Sequence, residues 1–501
     1  MKFDALIAAI PGARLIGDGA VEITAVTHDS RDVVPGALFV ALPGRTADGR
    51  RFIPAAIEKG AVAIATDEPV AGLPCVQLEA PRHDLARLAA RLHGEPAEKL
   101  RLVGLTGTNG KTTVATLLAA IVRAAGKPEG LIGTIGNRVA GKLHPTRFTT
   151  PEAPALHALL AEMVTAGVDV AVMEVTSVGL AEHRVDGLPF VAAGFTNLTV
   201  DHLDYHGDLR AYGEAKKPLF TERLIDGGVA VIDVDDDFGR LLADELAEAR
   251  PHVELWPLSL TLPDAAVRYE IVHLDPHGIR GHLVTPAGPV EIHSPLVGGF
   301  NVRNLALAAA LARAVDLPAE AITAALAHTR VPGRLQRVEH AGAFEVVVDY
   351  AHTPDAITRA IEALAPHTPG RLWCLFGCAG DRDRTKREPM GRAAAAAHAV
   401  VVTSDNPRSE DPAAIAESVA RAAIAAGRPR ADRPLAGHTW VEPDRAAAIH
   451  AVLAAARPGD TVLIAGKGHE TYQEIHGVRH PFDDVAVATA ALDALRAGAR
   501  R

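Results

Sequence analysis

The hydrophobic and polar positions of the chain follow a repeating order that predicts a layered α/β fold. From residue 102 onwards, short apolar runs lead into glycine turns and then into segments with helical spacing, and further apolar runs follow at 168–175 and 229–233. The helix after the first run has a clear apolar stripe at intervals of three and four residues. The residues of this stripe are Val114, Leu117, Leu118, Ile121 and Val122. The order of these segments favours a mainly parallel sheet.

The pattern changes on the carboxyl-terminal side of this central region. Residues 267–292 alternate between apolar and polar positions around turns that contain Pro and Gly, which is typical of a small antiparallel addition. Beyond Pro332-Gly333, apolar runs alternate with Ala-rich helices, as in a Rossmann-like α/β domain. These runs are 345–349, 371–376, 400–403 and 461–465. With a charged stretch before residue 99, the predicted domains are 1–98, 99–332 and 333–501.

Composition and charge mainly exclude classes of protein. The 501 residues include 51 Lys and Arg against 61 Asp and Glu, a net charge of −10, so we expect no binding to nucleic acid backbones. The first apolar run is soon broken by Pro11, and no run reaches the length of a membrane span, so we expect no signal peptide and no membrane insertion. The three cysteines are odd in number and lack the spacing of metal ligands, so we expect no disulfide framework and a reducing compartment such as the cytoplasm.

A glycine-rich loop between the first central strand and its helix predicts a polyphosphate site. Residues 106–113 read T-G-T-N-G-K-T-T, so the backbone amides at the helix start can point at an anion. Lys111 can neutralise the outer phosphates and the Thr112 hydroxyl can bind Mg²⁺. Leu105 stands where the commonest form of this motif has its first glycine. The predicted ATP-binding residues of the loop are Gly107, Thr108, Asn109, Gly110, Lys111, Thr112 and Thr113.

This short loop resembles the ATP-binding motif of the Mur ligase family, the amide-forming enzymes of peptidoglycan precursor synthesis, and the resemblance continues along the chain. Glu174 at the end of a strand and the segment D-H-L-D-Y-H-G at 201–207 look like the family's metal-binding segments. The segment A-K-K-P-L-F at 215–220 resembles one whose first lysine is carbamylated by CO₂. The resemblance implies a Mg²⁺ site formed by Thr112, Glu174, His202 and carbamylated Lys216, and a catalytic group of Lys111, Glu174, His202 and Lys216.

Three further segments resemble the family's contacts to the nucleotide. They are G-F-N-V-R-N at 299–304, P-G-R at 332–334 and D-Y-A-H-T-P at 349–354. The resemblance implies that Asn304, Arg334 and Asp349 face ATP. The central domain is therefore expected to be a P-loop ATPase-type domain with ATP as co-substrate.

The beginning of the chain and part of the central domain resemble the family's site for the uridine nucleotide and its muramoyl peptide. The segments concerned are 27–31, 35–41, 44–50, 149–152, 174–177 and 182–184. Four residues depart from the usual pattern: Phe148, Thr176, Val178 and Glu182. The resemblance implies a UDP-MurNAc-dipeptide site formed by His28, Ser30, Arg45, Thr46, Ala47, Thr149, Thr150, Thr176, Glu182 and Arg184.

The last domain carries segments that resemble an amino-acid site. The arginine-rich turn at 377–387 can grip an anion, and the D-N-P-R at 405–408 looks like the turn that selects diaminopimelate in the family's third-step enzymes. A fixed guanidinium favours the distal carboxylate of diaminopimelate over the ammonium of lysine. The resemblance implies a diaminopimelate site formed by Arg382, Asp405, Asn406, Pro407, Arg408, Gly466 and Glu470.

Together these resemblances imply a monomeric, ATP-dependent and ADP-forming amide ligase that acts only on small molecules. It would add meso-diaminopimelate to the D-glutamate γ-carboxylate of UDP-MurNAc-L-Ala-D-Glu through an acyl phosphate, although the LL isomer presents the same carboxylate. Within the family, the alternatives are a lysine-adding ligase, the fourth-step ligase and a relative of folylpolyglutamate synthetase. Outside the family, the alternatives are a P-loop hydrolase and a non-catalytic nucleotide switch.

Overall fold

Three large β-sheets with helices on their faces organise the chain, which confirms the predicted α/β class. The computed structural model describes all residues except 9, 45–47, 71, 276–277 and 500–501. Among the residues it describes, no helix is both long enough and apolar enough to cross a membrane.

The N-terminal region forms a five-stranded sheet. Its elements are α1 (Phe3–Ile7), β1 (Arg14–Ile16), β2 (Ala25–Thr27), β3 (Ala37–Val40), α2 (Ile53–Glu58), β4 (Ala61–Thr66), β5 (Cys75–Gln77) and α3 (Pro81–Leu92). The strand order is β1-β5-β4-β3-β2, and only the β1–β5 pair is antiparallel. Because successive strand residues point to opposite faces, Leu38 and Phe39 are buried in two separate apolar clusters.

The central region forms an eight-stranded sheet. Its elements are β6 (Arg101–Thr106), α4 (Lys111–Ala124), β7 (Gly130–Ile132), β8 (Asn137–Val139), β9 (Lys142–His144), α5 (Ala153–Thr165), β10 (Val170–Glu174), α6 (Ser177–Ala181), β11 (Phe190–Phe195), α7 (Leu203–His206), α8 (Leu209–Glu214), α9 (Pro218–Thr221), β12 (Leu224–Asp233), α10 (Asp237–Ala249) and β13 (Glu254–Leu258). The order is β13-β12-β11-β6-β10-β7-β8-β9, parallel from β13 to β7. All five residues of the predicted stripe on α4 are buried in its core.

A small sheet and two helices complete the central region. They are β14 (Arg268–Asp275), β15 (Gly278–Val284), β16 (Val290–Ser294), α11 (Gly299–Ala314) and α12 (Ala319–Leu326). Both strand pairs of this sheet are antiparallel, as the alternation at 267–292 predicts. Ile279 and Ile292 pack into the same core as α4 and α11.

The C-terminal region forms a six-stranded sheet and a separate hairpin. Its elements are β17 (Gln336–Arg337), β18 (Glu345–Asp349), α13 (Pro354–Leu364), β19 (Leu372–Phe376), α14 (Arg387–Ala394), β20 (Ala399–Val402), α15 (Pro412–Ala425), β21 (Thr439–Val441), α16 (Arg445–Ala455), β22 (Thr461–Ala465), β23 (Tyr472–Ile475), β24 (Val478–Pro481) and α17 (Asp484–Ala499). The sheet order is β17-β18-β22-β19-β20-β21, and only β17 is antiparallel to its neighbour. The four strands predicted from sequence lie within one residue of their observed bounds.

The carboxyl ends of the central and C-terminal sheets lie on either side of one cleft. The glycine-rich loop follows β6 and Glu174 ends β10, whereas Asp349 ends β18 on the other side. The Asn109 amide donates to the Asp355 carboxylate at 3.0 Å and connects the two sides. The open α/β sheets therefore present their loop residues where ligands usually bind in such folds.

Candidate active site

The loop after β6 is preformed by contacts with the loop after β11. Gly107 has a φ of 137°, and a Cβ atom there would lie 1.9 Å from Thr196 Oγ1, so only glycine fits. The Thr108 amide donates to the Asn197 carbonyl at 2.8 Å, and the Asn109 amide donates to Asn197 Oδ1 at 3.1 Å. The helix α4 then begins directly after Gly110, with its first amides at the loop.

The Lys111 ammonium folds back onto the carbonyl oxygens of this loop. Its Nζ donates to the Gly107 carbonyl at 2.7 Å and to the Thr108 carbonyl at 3.0 Å. Burial lowers the pKa of Lys111, while the carboxylates of Glu174 and Asp201 oppose that shift. A cation that is desolvated in this way gains strongly from an anionic ligand.

Glu174 and Thr112 place hard oxygen ligands beside the loop. The Glu174 carboxylate is 1% exposed and accepts the Thr112 hydroxyl at 2.8 Å, the Thr134 amide at 2.8 Å and the Thr134 hydroxyl at 3.0 Å. Arg334 Nη2 donates to the same Thr112 hydroxyl at 3.3 Å. Since Mg²⁺ prefers carboxylate and hydroxyl oxygens, these residues fit the predicted metal site.

Lys216 is buried at the same loop. Its Nζ donates to the Gly107 carbonyl at 3.4 Å and lies 3.8 Å from the centre of the Tyr212 ring. Burial, followed by the nearby Lys111 ammonium, lowers the pKa of Lys216 well below its usual value. The neutral amine, which is the form that adds CO₂, is therefore favoured.

His202 stands at the entrance to this group. It has a φ of 52°, and its Nε2 lies 3.6 Å from Asp201 Oδ2. Partial burial lowers the pKa of His202, with Lys111 acting in the same direction and Asp201 opposing it. Lys386 of the C-terminal region donates to Asp201 Oδ1 at 2.5 Å and so connects the segment to the opposite sheet.

A cleft extends from the loop between the central and C-terminal sheets. Six predicted ATP-binding residues line it: Asn109, Gly110, Thr113, Asn304, Arg334 and Asp349. The side chain of Asp349 also accepts the amides of Leu335 and Ala351, and burial raises its pKa. The Arg334 guanidinium lies 4.5 Å from the centre of the Tyr350 ring. The predicted nucleotide residues are thus brought together from both sheets.

The cleft also contains residues that the sequence did not single out. They include Asp233, Leu258, Phe300, Arg303 and Arg359. Arg303 Nη1 pairs with both carboxylate oxygens of Asp233 at 2.8 and 2.9 Å. Asp233 is the last residue of a predicted strand, so its position at a carboxyl edge was the available signal.

The predicted dipeptide-binding residues of the central region meet the N-terminal region in an ion-pair network. Arg184 pairs with Glu152 at 2.8 Å, donates to the Thr150 carbonyl at 3.0 Å and stacks 4.6 Å from the centre of the Phe148 ring. Glu152 also lies 3.1 Å from Arg82 of α3. The unusual Phe148 is therefore a packing partner of the arginine expected to bind a carboxylate.

Glu182, which departs from the usual pattern of the family, pairs with an arginine. Arg82 Nη2 lies 2.9 Å from one Glu182 oxygen, and the Tyr205 hydroxyl donates to the other at 2.5 Å. Arg82 was not predicted, because residues 82 and 182 come from different regions and no spacing relates them. His28 Nε2 lies 3.7 Å from Glu152, and burial lowers the pKa of His28.

Threonine hydroxyls connect this network to the metal-binding side. Thr150 and Thr176 are 2.9 Å apart, and Thr149 lies 3.0 Å from the Thr134 hydroxyl that contacts Glu174. Ser30 is half-buried in the segment after β2. Three predicted residues, Arg45, Thr46 and Ala47, lie outside the described residues.

The predicted amino-acid residues Asn406 and Glu470 form a polar network around a buried lysine. Lys467, which is 0% exposed, donates to Asn406 Oδ1 at 3.1 Å and to Glu470 Oε2 at 3.0 Å, and lies 3.6 Å from Asp405. Asn406 Nδ2 donates to Glu470 at 2.9 Å. Lys467 follows Gly466, whose φ of 114° requires glycine, and its role was not predicted.

Arg408 lies at the edge of this network with a fixed guanidinium. It has a φ of 51°, its Nη1 donates to the Gly380 carbonyl at 2.7 Å, and its Nε lies 3.6 Å from Glu474 of β23. The carbonyl oxygen of Pro407 lies close to Gly380 and leaves no room for a side chain there. Arg382 is exposed in the neighbouring turn. The structure therefore brings the two predicted arginine-bearing turns together.

Comparisons with known proteins cover almost the whole chain. The Mur ligase family catalytic domain matches residues 22–91, the Mur ligase middle domain residues 105–312 and the Mur ligase glutamate ligase domain residues 333–468. Relatives from Gloeobacter violaceus and Streptomyces coelicolor are 45% and 44% identical, over 95% of this chain and 95% and 93% of theirs. Both are named UDP-N-acetylmuramoyl-L-alanyl-D-glutamate--2,6-diaminopimelate ligase.

Solved structures agree with these relatives. A structure of the same named ligase is 34% identical, has a TM-score of 0.70 and covers 99% of both chains. A D-alanyl-D-alanyl-adding ligase from Acinetobacter baumannii, 20% identical with a TM-score of 0.64, covers 93% of this chain and 95% of its own and shares the fold.

Proposed function

This chain belongs to the Mur ligase family, and from that premise we propose that it joins meso-diaminopimelate to the D-glutamate γ-carboxylate of UDP-MurNAc-L-Ala-D-Glu at the expense of ATP. The observation that carries the proposal is the placement of Arg408 beside the Asn406–Glu470 network. That network offers Glu470 to an ammonium and Arg408 to a distal carboxylate. Lysine has no distal carboxylate for Arg408, so the pocket favours diaminopimelate.

The first step forms an acyl phosphate. A γ-carboxylate oxygen attacks the γ-phosphorus of ATP, the bond to the β-phosphate oxygen breaks, and ADP leaves. Lys111 neutralises charge on the transferred group, and the first amides of α4 hold the phosphates. Arg334, Asn304 and Asp349 hold the nucleotide from the opposite wall of the cleft.

The metal site assists this step. Thr112, Glu174, His202 and Lys216 would hold Mg²⁺, which supplies positive charge next to the phosphates when it is bound. The buried neutral amine of Lys216 adds CO₂ and loses a proton, so that the side chain becomes an anionic carbamate with oxygen ligands. The low pKa of Lys216 and the oxygen-rich surroundings of Glu174 support this assignment.

The second step forms the amide. The amine of diaminopimelate attacks the acyl carbon, the bond to the phosphate oxygen breaks, and the nitrogen loses a proton. Arg408 and Arg382 bind carboxylates of the amino acid, with Asp405 and Gly466 framing the pocket. Arg184, Thr150 and the other dipeptide residues hold the acceptor on the side of the N-terminal region.

We also propose that one domain serves each substrate, with boundaries after residues 98 and 332. The five-stranded sheet ends before the first boundary, and the six-stranded sheet begins after the second. Because one chain supplies residues for all three substrates, we propose that it acts as a monomer. Because the proposed substrates are soluble nucleotides, we propose that the reaction takes place in the cytoplasm.

The test is a ligation assay with the purified chain, ATP, Mg²⁺ and UDP-MurNAc-L-Ala-D-Glu. The meso isomer of diaminopimelate, the LL isomer and lysine are supplied separately, and phosphate release and product mass are followed. We expect a tripeptide product with the meso isomer at the highest kcat/KM. Faster turnover with lysine would overturn the selectivity, and phosphate release that ignores all three amino acids would identify a hydrolase.

A further inference from the structure

Two histidines and an aspartate converge where α3 of the N-terminal region meets the central region. His83 Nδ1 lies 2.7 Å from Asp186 Oδ2, and His183 Nδ1 lies 3.2 Å from the same oxygen. The two imidazole rings are 3.6 Å apart between centres. All three ligand atoms lie within 4.8 Å of one another. We propose that these residues, the interdomain His–Asp cluster, bind a divalent transition-metal ion of the zinc type.

The donor set of the cluster matches the chemistry of zinc. Zn²⁺ binds imidazole nitrogen and carboxylate oxygen at about 2.0–2.2 Å, and its tetrahedral ligands are therefore about 3.3 Å apart. The 3.2 Å separation already has this value, and the 2.7 Å separation reaches it through a small rotation of the exposed His83 side chain. Two imidazoles also favour zinc over Mg²⁺, which prefers a site made mainly of oxygen ligands.

The surrounding residues hold the ligand atoms in position. His183 has a φ of 53°, a conformation that costs energy in a residue other than glycine and that sets the direction of its side chain toward Asp186. Arg223 Nη2 pairs with Asp186 Oδ1 at 2.7 Å and leaves Oδ2 to the histidines. Such a second contact commonly orients a metal-binding carboxylate.

Solvent access to the cluster and the positive charge near it determine how tightly it would bind an ion. The His83 and His183 side chains are 48% and 33% exposed, so an ion can enter from solvent. Three protein ligands leave a fourth position for water. The Arg223 guanidinium, which lies 2.7 Å from Asp186 Oδ1, opposes further positive charge. We therefore expect weaker binding than at a zinc site with four protein ligands.

The cluster lies between the N-terminal and central regions, so a bound ion would connect them. His83 belongs to α3, whereas His183 and Asp186 belong to the segment between α6 and β11. A bound ion would tie that helix to the segment that also carries Glu182 and Arg184. The cluster contains none of the nucleotide-binding residues, so zinc binding can be measured independently of the ligase activity.

Equilibrium dialysis of the full chain against Zn²⁺, in excess Mg²⁺, tests the proposal. We expect the wild type to bind one more equivalent of zinc than H83A or H183A does. The matched control is H293A, which removes a similarly exposed histidine that lies 3.2 Å from Glu291 on the small antiparallel sheet. This control should bind as much zinc as the wild type.

Cobalt absorption gives a second readout of the same site. Co²⁺ bound to the cluster should give the visible bands of a tetrahedral nitrogen and oxygen site, and H83A and H183A should lose them. H83Q, which keeps a polar side chain at the exposed position, covers the case in which H83A folds poorly. Equal zinc binding by the wild type, H83Q and H183A, or cobalt bands that persist in both variants, would overturn the proposal.

Discussion

The nucleotide loop (107–112) and the C-terminal pocket (405–408 and 466–470) hold their cations in opposite ways. In the nucleotide loop, Lys111 contacts main-chain carbonyls, as does Lys216 beside it, and burial lowers the pKa of both. In the C-terminal pocket, Lys467 lies 3.0 Å from the Glu470 carboxylate, and Arg408 Nε lies 3.6 Å from the Glu474 carboxylate. The loop thus keeps charge for a polyphosphate, whereas the pocket fixes the geometry of a polar network.

This difference predicts that substitutions in the loop remove turnover and that substitutions in the pocket change the choice of amino acid. Lys111→Ala gives the largest expected effect, because it removes the buried cation that neutralises the transferred phosphate. We expect kcat to fall about 10³-fold. Phosphate release at saturating ATP measures the fall. Lys127→Ala, at a surface pair with Asp169, is the matched control. A fall below tenfold would contradict this use of Lys111.

Lys216→Ala tests the second cation of the loop. We expect kcat to fall about 10²-fold, because one charged ligand of the metal is lost. Added formate or acetate should restore part of the activity by supplying the missing carboxylate. The neighbouring Lys217→Ala, which breaks the ion pairs of this half-buried lysine with the exposed Glu214 and Glu245, should keep wild-type turnover. An unchanged rate in Lys216→Ala would remove the carbamate from the mechanism.

Arg408→Ala tests the C-terminal pocket. We expect kcat/KM for diaminopimelate to fall by about 30- to 100-fold, since a charge-assisted hydrogen-bond pair is lost. The KM for ATP should stay the same, and the preference for diaminopimelate over lysine should shrink. Steady-state kinetics with both amino acids, alongside Arg430→Ala at a surface pair with Glu417, measures this. A preference that survives unchanged would place selection elsewhere.

His157 shows what burial of a titratable side chain does to stability alone, because it is buried but lies outside both the nucleotide loop and the C-terminal pocket. It is 1% exposed, neither ring nitrogen has a hydrogen-bond partner among the described residues, and burial lowers its pKa to about 4. Unfolded chains bind the proton near pH 6.5, so stability falls as pH drops from 6.5 towards 4. Between pH 7 and 5.5 we expect a loss of about 1 kcal/mol in the free energy of unfolding.

Denaturant unfolding of the wild type and His157→Leu at the two pH values measures this loss. The variant should lack this part of the pH dependence and keep its turnover at pH 7. Parallel pH dependence in the two proteins would contradict the low pKa of His157.

The sequence predicted the elements that carry strong patterns. The bounds of β18 and β22 match the predicted runs, and the α4 stripe is buried as its spacing requires. The strand β11 was not predicted, although it lies next to β6. Its sequence, F-V-A-A-G-F, includes Ala and Gly, which have low strand propensity, and it is stabilised by pairing with its two neighbours and by burial in the apolar clusters on both faces.

The residues of the candidate site likewise fall into those that a sequence pattern predicted and those that only the fold revealed. Sequence motifs identified the loop and Asp405–Arg408, because the residues concerned are consecutive. Glu174 was identified by its place at the end of a strand. The individual roles of these residues stay predictions. Arg82 emerged only from the fold, since its partner Glu182 is far away along the chain. The role of Lys467 also emerged from the fold, because besides the nearby Glu470 it contacts Asp405 and Asn406 of a distant turn. The hairpin that brings Glu474 to Arg408 was likewise not predicted.

The most direct test of the central claim follows the oxygen of the acceptor. UDP-MurNAc-L-Ala-D-Glu labelled with ¹⁸O in the γ-carboxylate is turned over with ATP, Mg²⁺ and meso-diaminopimelate, and the released phosphate is analysed by mass. Attack of the carboxylate on ATP, followed by displacement of phosphate by the amine, predicts one labelled oxygen in each phosphate. Unlabelled phosphate released together with ADP would show that water, and not the carboxylate, attacks ATP, and would contradict the account.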